Sequence, residues 1–265
     1  MGLSACGAPG AATRVESQPK RDSHATGGEA SSARPDTQPP AASQAGAEPE
    51  KAAVKTDDAP ISPQASAEPV APVLDAELPK GTTVLHVGDS MAEALGKDLQ
   101  HELAVRGVPS RLNAKAATFI PQWASGVDSL GFRSAITQYH PDLVIITLGG
   151  NELAMPTPSQ RIAPIREMVK AVGDRPCLWL APPLWPKAPN TGLIAIIKDN
   201  CAPCVFVDTN AMLKLEVLTM DGIHPTLPER KRWALFMIRW LKHNRDPKGP
   251  KPWSFLANTT PPPNE

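Results

Sequence analysis

Short apolar runs alternate with amphipathic segments from residue 84 to residue 243, and this alternation constrains the fold more than any other feature of the chain. The runs at 143–146 and 204–207 are almost continuously apolar, as in strands that are covered on both faces. Strand and helix patterns in alternation indicate parallel strands joined by crossover helices. The predicted strands are 84–87, 110–114, 143–148, 177–180 and 204–207, and the predicted helices are 92–106, 127–139, 160–172, 192–200 and 228–243. We therefore expect an α/β fold, a three-layer α/β/α sandwich with a five-stranded parallel sheet.

The composition of the chain changes sharply near residue 79. Residues 7–78 contain no Phe, Trp or Tyr and consist mainly of Ala, Pro, Ser, Glu, Gln and Gly. Such a segment cannot bury enough apolar surface to offset the conformational entropy of its chain. We therefore expect residues 7–79 to form a disordered tether, residues 80–245 to form the folded domain and residues 246–265 to form a Pro-rich tail.

The first six residues bear on the location of the protein. Leu3-Ser4-Ala5-Cys6 resembles a bacterial lipobox, in which the cysteine is lipidated. The basic and apolar regions of an export signal do not stand before it, so either translation begins upstream of Met1 or the match is accidental. We expect a lipoprotein or periplasmic protein of the bacterial cell envelope that touches the membrane only through a lipid on Cys6.

The remaining bulk properties argue against several other partners. The formal net charge is +0 and no basic stripe stands out, which argues against nucleic acid binding. No stretch approaches the roughly 18 apolar residues of a membrane-spanning helix. Neither a P-loop nor a Gly-x-Gly-x-x-Gly motif follows the first predicted strand, so we expect no nucleotide site. We expect a monomer that needs no cofactor.

Three cysteines, Cys177, Cys201 and Cys204, lie within the predicted domain. Cys201 and Cys204 have the spacing of a metal or thiol-redox motif, but a zinc site needs four ligands and no histidine stands near them in sequence. We therefore expect no metal site. In an exported protein, Cys177 can form a disulfide with Cys201 or with Cys204, and buried free thiols are the alternative.

The tripeptide Gly88-Asp89-Ser90 places a serine between the first predicted strand and the helix that follows it. A serine hydroxyl is a weak nucleophile that needs a neighbouring base, and its attack on a carbonyl needs donors for the oxyanion that forms. The unpaired N–H groups at the start of a helix are such donors. The pattern predicts Ser90 as a nucleophile, although the tripeptide alone also fits a turn whose serine caps the helix.

A base and an orienting carboxylate stand just before the last predicted helix. Asp221 lies three residues before His224 on a loop that contains Gly and Pro. At this spacing the carboxylate can hold one imidazole nitrogen while the other nitrogen faces Ser90. A helix-capping turn is the alternative. The presence of both motifs in this order favours a catalytic triad of Ser90, His224 and Asp221.

Asn151 follows the third predicted strand, directly after Gly149 and Gly150. The carboxyl ends of parallel strands lie at one edge of a sheet, so we expect Asn151 to lie near Ser90. An Asn amide can donate to an oxyanion, and glycines permit close approach of the backbone; ordinary turn chemistry is the alternative. Trp123 is a candidate to line an acyl or sugar pocket, although a core position suits it as well.

Together these motifs resemble those of the SGNH (GDSL-like) hydrolases, a family of esterases and lipases with a flavodoxin-like sandwich, over roughly residues 81–243. The first family block resembles the sequence that ends at Ser90 and implies Ser90 as the nucleophile, with its N–H as one oxyanion donor. The third block resembles 149–152; it implies Asn151 as a second donor and places Gly150 among the residues that bind the oxyanion or the substrate. The fifth block resembles 221–224 and implies the Asp–His pair.

Two positions depart from the family pattern. The second block normally supplies a glycine N–H after the second strand, but residues 113–119 contain no glycine, so an Ala or Thr N–H is expected there, with Thr118 as a candidate. Glu152 stands where the family usually has Asp. The sequence Gly-Asp-Ser-Met-Ala followed by Trp123 also resembles branches associated with cell-envelope acetyl esters, which implies Trp123 as a substrate-binding residue.

The sequence thus predicts a serine esterase that hydrolyses carboxylic esters, with short-chain or acetyl esters of cell-envelope glycans as the expected substrates. A non-catalytic glycan-binding envelope lipoprotein on the same fold is one alternative. A lipase or thioesterase is the other.

Overall fold

The computed structural model describes residues 76–186, 189–215, 219 and 221–263. Cys6 and most of the predicted tether therefore lie outside the described residues. The sheet has the five parallel strands that the alternation predicts: β1 Val84–Gly88, β2 Ser110–Ala114, β3 Leu143–Thr147, β4 Cys177–Leu180 and β5 Val205–Val207. Their order is β2-β1-β3-β4-β5, so the direction of chain crossover reverses between β1 and β3. Ligands of parallel sheets bind beyond the carboxyl ends of the strands at such a reversal.

Helices cover both faces of this sheet. In the described part of the chain they are α1 Ser90–Ala104, α2 Ile120–Ala124, α3 Phe132–Tyr139, α4 Ile162–Val172, α5 Leu193–Asn200, α6 Thr209–Leu213 and α7 Leu227–Asn244. No helix within these ranges is long and apolar enough to cross a membrane. The helix predicted from residue 127 begins only at Phe132, because the Asp128 carboxylate accepts the N–H groups of Arg133 and Ser134 in a turn before it.

Alternating residues of the strands contact different helical layers. In β1, Val84 packs in a cluster with residues of α1 and α7, whereas its neighbour Leu85 packs in a cluster with residues of α2, α3, α4 and α5. All residues of β1 and β3 are buried. Each fully buried Val, Leu or Ile side chain contributes about 1.5–3 kcal/mol relative to an exposed one. The three-layer α/β/α sandwich is therefore confirmed.

The register of β4 and β5 determines the cysteine pairing that the sequence left open. Leu178 pairs with Val205 across these strands, so Cys177 and Cys204, the residues that precede this pair, also lie opposite each other. Cys177 accordingly forms a disulfide with Cys204, and Cys201 is a buried free thiol.

The packed domain extends beyond the predicted limits of 80 and 245. Leu78 belongs to the buried core. On the C-terminal side, Trp253 is fully buried and its Nε1–H donates to Thr82 Oγ1 at 2.9 Å. The ring of Phe255 lies 5.6 Å from that of Trp240 in α7. The C-terminal segment 246–263 therefore packs as part of the domain.

Candidate active site

A sharp turn from β1 into α1 presents the serine. Gly88 ends β1 with φ +152, and a Cβ at this position would lie 1.8 Å from the carbonyl oxygen of Thr147 at the end of β3. Only glycine allows the two strand ends to approach so closely. Asp89 is the N-cap of α1, and Ser90 is the first residue of the helix. The local sequence therefore places the Ser90 hydroxyl at the rim of the sheet, where the crossover direction reverses.

Asp89 ties this turn to the loop after β3. Its fully buried carboxylate accepts the N–H of Met91 at 2.9 Å, of Gly149 at 3.2 Å and of Gly150 at 3.0 Å. Burial raises the pKa of Asp89 to about 6, against the opposing effect of these hydrogen bonds. The expectation that Gly150 serves the oxyanion is thereby corrected: its N–H is committed to Asp89 and braces the turn.

His224 meets Ser90 across 134 positions of sequence. Its Nε2 lies 2.8 Å from Ser90 Oγ, and its Nδ1 lies 2.8 Å from Asp221 Oδ2. An ionised carboxylate can only accept, so Nδ1 carries the proton and Nε2 accepts from the serine hydroxyl. The structure thus brings together Ser90, His224 and Asp221 in the order that the motifs predict.

The other Asp221 oxygen is held by the loop itself. Oδ1 accepts the Thr219 hydroxyl at 2.5 Å and the N–H groups of Ile223 and His224 at 2.8 and 3.0 Å. The hydrogen bonds from Thr219 and His224 lower the pKa of Asp221 well below its usual value. The carboxylate is therefore ionised at neutral pH and suited to orient the imidazole.

Asn151 lies on a short 3₁₀ helix, Gly150–Glu152, and its Nδ2 donates to the Thr118 carbonyl at 3.0 Å. An amide nitrogen carries two hydrogens, so one remains for a further acceptor. Thr118 is buried and its hydroxyl accepts the Trp123 indole N–H at 2.9 Å. Trp123, a residue of α2, is only 1% exposed and packs in the core. The prediction that Trp123 contacts substrate is therefore wrong: it supports Thr118 from the core.

Glu152, which departs from the family pattern, has a structural role that the sequence did not reveal. Its nearly fully buried carboxylate accepts the Ile120 N–H at 2.9 Å and pairs with Arg161. Glu152 thus links the loops after β2 and β3, and its longer side chain reaches a guanidinium beyond them. The hint available in the sequence was an acidic residue inside an otherwise apolar and Gly-rich turn.

The loop after β2 contains a residue in a glycine-like conformation. Ala117 has φ +56, in the left-handed region that glycine adopts without strain. Among residues 113–119, which contain no glycine, Ala117 is therefore the one whose backbone adopts the conformation that glycine favours. Its neighbour Ala116 lines the cleft at Ser90.

A cleft of about 290 Å³ opens beside Ser90 and His224. The other residues that line it are Glu93, Ala94, Lys97, Ala116 and Arg230. Lys97 follows Ser90 by seven positions, two helical turns along α1, and this spacing is the sequence signal that places it on the cleft side of the helix. The apolar part of this lining includes two alanines, and polar and apolar groups line the cleft to a similar extent.

A known family matches more than half of the chain: residues 82–227 match the GDSL-like Lipase/Acylhydrolase family. The protein BcsX of Komagataeibacter xylinus is 31% identical over 114 residues, which are 38% of this chain and 44% of BcsX. This chain therefore matches less than half the length of that curated relative.

Solved structures with similar backbones have low sequence identity to this chain. The lipase Lip_vut3 from a goat rumen metagenome is 16% identical, with a TM-score of 0.46 over 59% of this chain and 97% of the lipase. The C-terminal catalytic domain of peptidoglycan O-acetyltransferase A from Streptococcus pneumoniae is 16% identical, with a TM-score of 0.40 over 59% of this chain and 90% of that domain. The match over residues 82–227 nevertheless shows that the chain belongs to the GDSL-like lipase/acylhydrolase family, the SGNH hydrolases.

Proposed function

We propose that this protein hydrolyses carboxylic esters through a triad of Ser90, His224 and Asp221. The observation that carries the proposal is the continuous hydrogen-bonded chain from the Ser90 hydroxyl through both imidazole nitrogens to the Asp221 carboxylate, with 2.8 Å at each step of the imidazole. A capping turn alone does not require a serine and a histidine 134 positions apart to meet.

In the proposed reaction Ser90 Oγ attacks the ester carbonyl, and His224 Nε2 takes the hydroxyl proton. The Asp221 carboxylate stabilises the imidazolium that forms. His224 then gives its proton to the departing alcohol oxygen, which leaves an acyl-enzyme on Ser90. Water then attacks the acyl-enzyme carbonyl while His224 takes its proton, and His224 returns that proton to Ser90 Oγ as the bond to the serine breaks and the carboxylic acid leaves.

Donors for the oxyanion come from three loops at the rim. The Ser90 N–H lies at the start of α1, where helix N–H groups are unpaired. Asn151 Nδ2 retains one hydrogen beyond its bond to the Thr118 carbonyl. We assign the third donor to Ala117, because its left-handed backbone is the conformation that favours the family's usual glycine. Removal of one such donor costs on the order of 100- to 1,000-fold in turnover.

The cleft favours a short acyl group on a polar alcohol. Its volume of about 290 Å³ lies at the lower end of the range for ligand pockets, roughly 300–1,000 Å³. Charged side chains and alanines line it, which does not suit a long lipid chain. We therefore retain acetyl or other short-chain esters of glycans as the proposed substrates, in preference to a lipase or thioesterase activity.

The cell envelope remains the proposed location. The disulfide between Cys177 and Cys204 supports an oxidising compartment, since such bonds are rare in the cytosol of most organisms. Lipidation at Cys6 stays a prediction because that residue lies outside the described ranges.

Hydrolysis of 4-nitrophenyl acetate and covalent labelling with a fluorophosphonate test the proposal. We expect both to be lost in Ser90→Ala and kept in Ser159→Ala, which removes an exposed hydroxyl on the short helix Pro158–Arg161. Labelling requires an activated serine, so a wild-type protein that neither labels nor hydrolyses the ester would support the glycan-binding alternative. Equal hydrolysis by Ser90→Ala and wild type would remove Ser90 as the nucleophile.

A further inference from the structure

The cleft beside Ser90 contains more positive than negative charge. Lys97 and Arg230 line it together with a single carboxylate, that of Glu93. Of the acidic groups next to this lining, Asp221 is hydrogen-bonded to His224 and to its own loop, and Asp89 accepts three backbone N–H groups. A neutral ester would leave one cation of the cleft without a counter-charge.

Lys97 lies on the same face of α1 as the nucleophile. Glu93 and Lys97 follow Ser90 by three and seven positions, which puts all three on one side of the helix. With a rise of 1.5 Å per residue, the Lys97 backbone lies about 10 Å along the helix axis from Ser90. The ammonium is therefore placed to reach a group several bonds away from the carbonyl that Ser90 attacks.

The charge of Lys97 has no counter-charge paired with it in the described part of the chain. Glu93 stands four positions before Lys97, an arrangement in which helices often form ion pairs. Among the residues that the structure describes, however, no ion pair includes either side chain. Lys97 is therefore available to a bound anion.

Arg230 is held beside the loop that carries the base. It lies in the first turn of α7, and its Nε–H donates to the Pro225 carbonyl at 2.9 Å. This bond uses one of the five guanidinium hydrogens and restricts the side chain. A partly buried, restricted guanidinium is well suited to bind the paired oxygens of a carboxylate or phosphate.

We infer that the ester hydrolysed at Ser90 carries an anionic group, a carboxylate or a phosphate, which Lys97 and Arg230 bind. This inference rests on the proposed function and narrows it to acylated anionic compounds, acidic sugars among them. The short ester lies in the cleft, with its carbonyl toward the oxyanion donors and its anionic group along α1, toward Lys97 and Arg230.

Paired aryl acetates test the inference on the full chain. 4-Acetoxybenzoate carries a carboxylate and its methyl ester does not, while 4-acetoxyphenylphosphonate supplies the phosphate-like arm. The readout is the ratio of kcat/KM for each anionic ester to kcat/KM for the neutral methyl ester. We expect a ratio of about tenfold or more in the wild type, which falls as the salt concentration rises. The anionic ester with the higher kcat/KM identifies the class of anion that the cleft prefers.

Variants distinguish the effect of the charges in the cleft from an effect of the overall charge of the protein. Lys97→Gln should lower the ratio about fivefold, and Arg230→Lys should lower it less because the charge remains while the planar fork is lost. Lys231→Gln removes an exposed charge from the same turn of α7, outside the cleft, and should leave the ratio as in the wild type.

Each outcome has a distinct meaning. Hydrolysis of all three esters with equal efficiency, or a ratio that Lys231→Gln lowers as much as Lys97→Gln, overturns the inference and leaves the proposed function standing. A protein that hydrolyses none of these activated esters contradicts the proposed function as well.

Discussion

The two halves of the proposed triad are held in place by different means. On the nucleophile side, a fully buried Asp89 joins the turn at Ser90 to the loop at Gly149, 60 positions away. On the base side, the side chains of His224 and Asp221 remain 27% and 48% exposed and are held by hydrogen bonds within six consecutive positions, from Thr219 onwards. The fold positions the nucleophile, whereas a local turn positions the base. We therefore expect substitutions on the two sides to affect different properties.

The largest expected effect is that of His224→Ala on turnover. Without the base, kcat for an aryl acetate should fall by about 10,000-fold or more. Because His224 is partly exposed, the free energy of unfolding should change by only about 1 kcal/mol or less. Steady-state kinetics and guanidinium unfolding measure the two quantities. A loss of activity below tenfold would show that another group serves as the base.

Asp221→Asn should have the next largest effect, about 1,000- to 10,000-fold in kcat, because an amide can stabilise neither the imidazolium nor the required tautomer. Thr219→Val is the matched milder change: it removes one hydrogen bond to Asp221 and should cost about tenfold or less. Equal losses of kcat in the two variants would mean that the activity depends on the conformation of the loop rather than on the charge of the Asp221 carboxylate.

Asp89→Asn tests the nucleophile side, where stability is the expected readout. Below pH 4 the wild-type side chain is a neutral acid, and the Asn amide would turn an NH₂ group toward some of the three N–H groups that Asp89 accepts, so the free energy of unfolding should fall by about 2–3 kcal/mol. Burial raises the pKa of Asp89 from 3.8 to about 6, so the folded state binds the proton more tightly than the unfolded state. The stability due to the protonated group is present below pH 4 and is lost as the pH rises through 6.

The stability difference between wild type and Asp89→Asn should therefore shrink by up to about 3 kcal/mol as the pH rises from 4 to 8. Guanidinium unfolding of both proteins across this range measures the change. A difference that stays constant with pH would contradict the buried, titrating carboxylate.

The smallest expected effect is on the loop after β2. Ala117→Gly relieves a left-handed alanine and should raise the free energy of unfolding by up to about 1 kcal/mol. Ala116→Gly, at a neighbour without positive φ, should lower it by about 0.5–1 kcal/mol. Thermal unfolding of the two variants shows whether each substitution raises or lowers the free energy of unfolding. Equal destabilisation would argue against the left-handed backbone at Ala117.

The sheet could be predicted from the sequence because doubly covered strands require continuous apolar runs, which few other structures tolerate. The five-residue helices α2 and α6 could not, since one turn and a half gives no readable periodicity. The late start of α3 could not be predicted either, because it depends on the hydrogen bond that the Asp128 carboxylate accepts in the turn before the helix.

In the site, too, sequence patterns predict some features, whereas contacts between distant residues determine others. The meeting of Ser90 with His224 follows from motif order and from the shared rim of a parallel sheet. The roles of Gly150 and Trp123 depend on partners that no local pattern indicates: Asp89, 61 positions from Gly150, takes its N–H, and the core surrounds the indole. Which cysteine pairs with Cys177 likewise depended on strand register.

α7 separates the cleft from the first described residue of the chain. Its first turn carries Arg230 beside the site, whereas near its last turn the Ala76 N–H donates to the Lys242 carbonyl. Eighteen residues of helix span about 27 Å. A carrier or tag joined at Ala76 is thus attached about one helix length away from Ser90, and a bulky polymer can approach the serine without passing this point of attachment.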